Sequence, residues 1–141
     1  MSPRLFTSGT IATAALALFC AGCLPASRGG GVVTYPGNGP ALAVDQGEAS
    51  YYGDEFVGRR TANGETYRHQ EMTAAHRTYP FGTLVRVVNL NNGRTITVRI
   101  NDRGPHKAGR VVDLSRGAAE DIGMIRDGVV PVRLEVLQWG G

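Results

Sequence analysis

From Thr95 to Ile100 polar and apolar side chains alternate without exception, and no other stretch limits the fold of this chain as tightly. A period of two puts Ile96, Val98 and Ile100 on the inner face of a half-buried strand. Just before it, Asn91-Asn92-Gly93 supplies residues that accept positive φ, which predicts a hairpin turn. Just after it come Asn101-Asp102-Arg103, and Gly104-Pro105 turns the chain away. A carboxylate fixed at the end of a rigid strand, beside a cation, is a frequent mounting for acid–base chemistry. The same residues also suit a plain turn, in which Asp102 caps the bend or pairs with Arg103.

Strands are expected at 47–52, 72–76, 83–89, 94–101, 110–114 and 130–137, with Leu84, Val87, Val112, Val132, Leu134 and Val136 as core positions. One short helix is expected from Ser115 to Ile122. Ser115 is placed to cap it, Ala118, Ala119 and Ile122 to face inward, and Gly123 to end it. Both cysteines, Cys20 and Cys23, precede this region, so it can form no disulfide and offers no thiolate for catalysis or zinc. A domain of roughly ninety residues must then cohere on its core alone. A closed barrel suits that requirement, because closure leaves no exposed strand edge. The expected fold class is therefore mainly β: a compact barrel of six short strands with one short helix.

Arg4 followed by the apolar run Leu5 to Phe19 reads as a secretory signal, too short and too interrupted by Thr, Ser and Gly for a membrane span. The expected organisation is a signal peptide at 1–22, a flexible Gly- and Pro-rich tether at 23–44 and the barrel domain at 45–139. Formal net charge is +3, and every basic residue except Lys107 is arginine. That excess is too small and scattered to indicate nucleic acid, and export argues against such a partner. Arg59, Arg60, Arg77, Arg103 and Arg110 lie near the motif residues and would suit an anionic polymer. Each also reads as an ordinary solvated or strand-pairing side chain.

Four further motifs accompany Asn101-Asp102-Arg103-Gly104-Pro105. They are Gly47-Glu48-Ala49-Ser50-Tyr51-Tyr52-Gly53, Thr61-Ala62-Asn63-Gly64-Glu65, the stretch Thr73-Ala74-Ala75-His76 running on to Thr83, and Gly109-Arg110-Val111-Val112-Asp113-Leu114-Ser115. In this order and spacing the series resembles the RlpA family of bacterial envelope proteins, over roughly residues 47–137. The resemblance implies a double-psi β-barrel, which strand spacing alone does not specify. It also implies a lytic transglycosylase, which cuts peptidoglycan glycan strands, preferably peptide-stripped, between N-acetylmuramic acid and N-acetylglucosamine. The muramyl C6 hydroxyl attacks its own anomeric carbon and leaves a 1,6-anhydro end. Asp102 is implied as the general acid/base, with Glu65 and His76 as its companions in the catalytic set. Tyr52, Thr61, Asn63, Arg77 and Arg103 are the expected substrate contacts.

Cys20-Ala21-Gly22-Cys23 resembles a lipobox, although Cys20 stands where Leu is usual. Cys23 is thus the expected lipidation site, and Leu24 resembles lipoproteins routed to the outer membrane, facing the periplasm. The expected partners are glycan strands and, through the lipid on Cys23, the membrane. A monomer is expected, with no nucleic acid, cofactor or metal. Many relatives carry a C-terminal glycan-binding repeat domain, which is not expected here beyond the last strand.

Each candidate also has a plainer reading. Glu65 suits an exposed loop, and His76 a core histidine with its hydrogen bonds satisfied. As metal ligands, Glu65, His76 and Asp102 lack any close-spaced pair. Tyr51, Tyr52, Tyr79 and Phe81 suit a sugar-stacking groove or a core, with Phe81 assigned to the core and Tyr52 to the cleft. Arg110 and Asp113 read as structural, Asp113 holding the helix start or pairing with an arginine. His69 and His106 fall in loops without an evident role. An acidic cleft on this barrel would also serve a non-catalytic, expansin-like module that binds glycan or loosens the wall.

Overall fold

The computed structural model describes residues 40–141; the expected signal peptide, Cys23 and most of the expected tether lie outside the described residues. The elements run β1 (Ala43–Tyr51), a 3-10 turn (Asp54–Phe56), β2 (Thr73–Ala75), β3 (Leu84–Asn89), β4 (Thr95–Asp102), β5 (Arg110–Leu114), α1 (Arg116–Asp121) and β6 (Val130–Gln138). The strands close into a barrel in the order β1-β5-β2-β4-β3-β6, with β6 paired back to β1. Two pairs are parallel, β1 with β5 and β2 with β4, and the others are antiparallel. Closure satisfies the ladder hydrogen bonds without leaving an edge. This is the architecture expected for a domain with no disulfide.

The period-two pattern holds where it was clearest. Val98 and Ile100 of β4 are buried, and Ile96 packs against the same core. Val112, Val132, Leu134 and Val136 meet them from β5 and β6. Leu84 is a correction: it is half-exposed, and Val85 and Val87 fill the core from β3. Leu84 and Val87 differ in parity, so one strand cannot turn both inward. The register of β3 against β6 also shifts between Leu84 and Val85.

The start of β1 is a second difference. The strand begins at Ala43, ahead of the expected start, and pairs Ala43 with Val136. The exposed run Val44, Asp45 and Gln46 carries no alternation by which to read it as strand. The helix follows expectation: the Ser115 hydroxyl accepts from the Ala118 amide at 3.3 Å, Ala118 and Ala119 are buried, and Gly123 leaves the helix at φ +67°. At the turn after β3, Gly93 sits at φ +75° and its amide donates to the Asn89 carbonyl at 2.7 Å.

The packing predicts unequal costs for two leucines. Leu134→Ala should lose about 2–5 kcal/mol of stability in urea unfolding, and Leu84→Ala clearly less. Equal losses would contradict the outward placement of Leu84.

Candidate active site

Asp102 ends β4, and three donors converge on its carboxylate. The Tyr52 hydroxyl donates to Oδ2 at 2.6 Å; the Ala62 and Arg103 amides donate to Oδ1 at 2.8 and 2.9 Å. Tyr52 reaches it from the segment just after β1, where its amide is fixed on the Leu114 carbonyl at 3.0 Å. Burial, then the hydrogen bond to Asp102 and its charge, push the Tyr52 phenol far above its ordinary value. Tyr52 therefore remains a donor throughout the working pH range.

Glu65 is brought in by the loop Thr61–Glu65, which is tied to itself and to the end of β4. The Thr61 amide donates to the Glu65 carbonyl at 2.7 Å, and the Thr61 hydroxyl donates to Asn63 Oδ1 at 2.6 Å. The Asn63 amide reaches the Asn101 carbonyl at 3.3 Å. Gly64 permits the tight bend at φ +91°. Asn101, buried beside Asp102, donates from Nδ2 to Glu65 Oε2 at 2.8 Å. Arg99 pairs with the same carboxylate at 2.8 Å. Burial alone would raise the Glu65 pKa, but the hydrogen bonds from Arg99, Asn101 and Asn63 outweigh it and hold the carboxyl below its usual range. Glu65 is thus a fixed negative charge and a poor proton donor.

His76 follows β2, and its amide donates to the Asp102 carbonyl at 3.2 Å. Its Nδ1 accepts from the Thr78 and Tyr79 amides at 3.2 and 3.1 Å, which assigns the proton to Nε2. Burial lowers its pKa to about 4; Asp45 opposes this, and Arg103 and Arg77 reinforce it. Neither arginine turns to the Asp102 carboxylate. Arg103 donates to the Tyr79 and His76 carbonyls at 2.9 and 3.3 Å and lies 3.9 Å from the centre of the Phe81 ring. Arg77 donates to the Pro105 and Lys107 carbonyls, both at 2.6 Å. The two guanidinium groups fasten the loops that flank Asp102.

Sequence reasoning missed three contributors. Asp113 does not start the helix, which is the work of Ser115; its carboxylate accepts from the Ser50 hydroxyl. Ala75 pairs with Asp102 on one side and Asp113 on the other, and both carboxylates act on the Tyr52 phenol. Tyr67 is buried and supports the Tyr52 ring at 4.6 Å between centroids. His69 bridges the Tyr67 hydroxyl and Asp54, each at 2.8 Å. The only local signal is that Tyr67 and His69 stand two apart, as side chains on one side of an extended segment do. Tyr79, a candidate for sugar stacking, and Phe81, assigned to the core, are engaged within the protein by His76 and Arg103.

A groove of about 520 Å³ adjoins the site, lined by Glu65, Thr66, Arg68, Glu71, Met72, Thr73 and Arg99. It touches the site through Glu65 and Arg99, and Asp102 does not line it. Among the described residues no three of His, Cys, Asp and Glu are grouped to hold a metal ion.

A closed six-stranded barrel with two parallel pairs and an acid at a strand end is a double-psi β-barrel protein. Residues 44–134 match the double-psi family model described as "Lytic transglycolase", and the chain belongs to that family, among its RlpA proteins. It is similar to the "Probable endolytic peptidoglycan transglycosylase RlpA" of Nostoc sp., with 63% identity over 94 residues, 65% of this chain and 25% of that one. To the "Endolytic peptidoglycan transglycosylase RlpA" of Campylobacter jejuni it is 55% identical, covering 67% of this chain and 34% of that one. The chain thus spans about a quarter to a third of the length of these relatives. Among solved structures, the Streptomyces papain inhibitor aligns with TM-score 0.56 and 25% identity, over 70% of this chain and 98% of that one. An expansin of Clavibacter michiganensis aligns with TM-score 0.55 and 18% identity over 70% of this chain and 52% of that one, a likeness of fold alone.

The state of His76 gives a testable pH dependence. Its folded pKa lies below the unfolded value of about 6.5, so the unfolded chain binds the proton first. The contribution is intact above pH 6.5 and lost as pH falls towards 4, by up to about 3 kcal/mol. His76→Asn should flatten that part of the stability profile in urea unfolding between pH 7 and pH 4. An unchanged slope would contradict a buried neutral His76.

Proposed function

We propose that this barrel is a lytic transglycosylase acting on the glycan strands of peptidoglycan, with Asp102 as its acid/base. The observation that carries this reading is the similarity to relatives named for that activity, with the Asp102 carboxyl held in one position at the end of β4 by Tyr52, Ala62 and Arg103. In the proposed reaction the Asp102 carboxyl gives its proton to the glycosidic oxygen as the bond from the muramyl C1 breaks. The C6 oxygen then bonds to C1, and its proton goes to the carboxylate. No water is consumed, and one group performs both transfers.

The neighbours divide the remaining work. Glu65, held ionised by Arg99 and Asn101, supplies negative charge for the oxocarbenium-like transition state. Tyr52 fixes one carboxylate oxygen, and neutral His76 offers Nε2–H to the sugar. Thr61 and Asn63 act by shaping the loop that carries Glu65, and Arg77 and Arg103 by fastening the loops around Asp102. The site of action is the cell envelope, on peptide-stripped strands, with the chain a monomer held at the outer membrane by a lipid on Cys23.

One observation favours a second reading. Asp113 is a second carboxylate two strands from Asp102, and a separated pair is the arrangement of water-using glycosidases. Its engagement with Ser50 weighs against that role.

Asp102→Asn preserves shape and removes the transferable proton. Release of anhydromuramyl ends from amidase-treated peptidoglycan should fall by about 10²–10⁴-fold, with co-sedimentation on the polymer retained. Cleavage at the parent rate would remove Asp102 from the mechanism.

A further inference from the structure

Trp139 is the only tryptophan in the sequence, and it stands directly after β6 with 43% of its surface exposed. Its position is built into the barrel. The Gly140 amide donates to the Thr83 hydroxyl at 3.0 Å, and a Cβ on Gly140 would come within 2.0 Å of the Phe81 carbonyl. The backbone beside Trp139 is therefore pressed against the barrel, where only glycine fits.

The indole is also joined to the candidate active site. Trp139 meets Tyr79 edge-on, with ring centres 5.3 Å apart at 87°. Tyr79 lies flat on His76 at 3.6 Å and 11°, and the His76 amide bonds the Asp102 carbonyl. Arg103, next to Asp102 in sequence, fixes the Tyr79 carbonyl at 2.9 Å. A rigid aromatic series thus leads from the proposed acid/base to an exposed indole. Phe56, the exposed aromatic on the Tyr52 side, differs in that the Arg59 guanidinium lies over its ring at 5.5 Å.

We propose that Trp139 is a stacking platform for one pyranose ring of the glycan strand, a subsite linked to Asp102 through Tyr79 and His76. This rests on the reading of Asp102 as a glycan-cleaving site. β-1,4-linked N-acetylhexosamines keep their ring substituents equatorial, so both ring faces present C–H bonds. A flat indole covers such a face at little entropic cost, and its N–H serves the hydroxyl or acetamido rim. The platform reaches Asp102 only through Tyr79 and His76, so it governs binding and positioning of the strand and leaves proton transfer to Asp102.

A single tryptophan makes the test direct. The full chain carrying Asp102→Asn, which keeps the strand intact, is titrated with amidase-stripped glycan while indole emission is recorded and co-sedimentation run in parallel. The expected result is a saturable quench or blue shift whose midpoint matches co-sedimentation. Trp139→Ala in the same background should weaken sedimentation on the order of tenfold, with Trp139→Phe restoring most of it. Tight binding with unchanged emission, and equal binding by Trp139→Ala, would overturn the platform and leave the cleavage reading standing. Absence of glycan binding by every variant would overturn both.

Discussion

The hydrogen bond from Tyr52 to Asp102 spans fifty residues of sequence and joins the exit of β1 to the end of β4. It reaches across β5 and β2, the two strands that separate β1 from β4. Tyr52 is fixed through Leu114 of β5, and β5 reaches β4 through β2. The carboxylate is also where the Thr61–Glu65 loop docks, through the Ala62 amide. One acid therefore organises two loops and two strands, and the preorganisation of the site rests on the paired run β1-β5-β2-β4.

Charge is distributed unevenly around that acid. Glu65 is kept ionised by three hydrogen-bonding partners, His76 is kept neutral by burial, and Tyr52 is kept protonated by burial and by Asp102 itself. Of the arginines that looked suited to an anionic polymer, Arg60, Arg77 and Arg103 donate to backbone carbonyls, Arg110 reaches the Ser50 hydroxyl and Arg59 lies over the Phe56 ring.

Much of this was legible in the sequence, for identifiable reasons. The strict alternation in β4, the Asn-Gly turn before it and the Ser115 cap are local signals, and local physics decides them. What escaped depends on partners distant in sequence. Leu84 against Val85 is settled by a register shift with β6, and Asp113 enters the site only because Ala75 pairs with it and with Asp102. The early start of β1 is settled by pairing with β6 along a mostly exposed run. Arg103 turns to the Tyr79 carbonyl and the Phe81 ring, partners more than twenty residues away in sequence. The double-psi connection came from the motif resemblance, since strand spacing alone fits several small barrels.

The central claim is that a single acid/base closes an intramolecular ring on the sugar and consumes no water. Cleavage of peptide-stripped glycan in ¹⁸O-enriched water, followed by mass spectrometry of the released muramyl ends, tests it most directly. The account predicts ends lighter than the hydrolytic product by one water and free of the label. Labelled reducing ends would contradict it and assign Asp102, with Asp113, to hydrolysis.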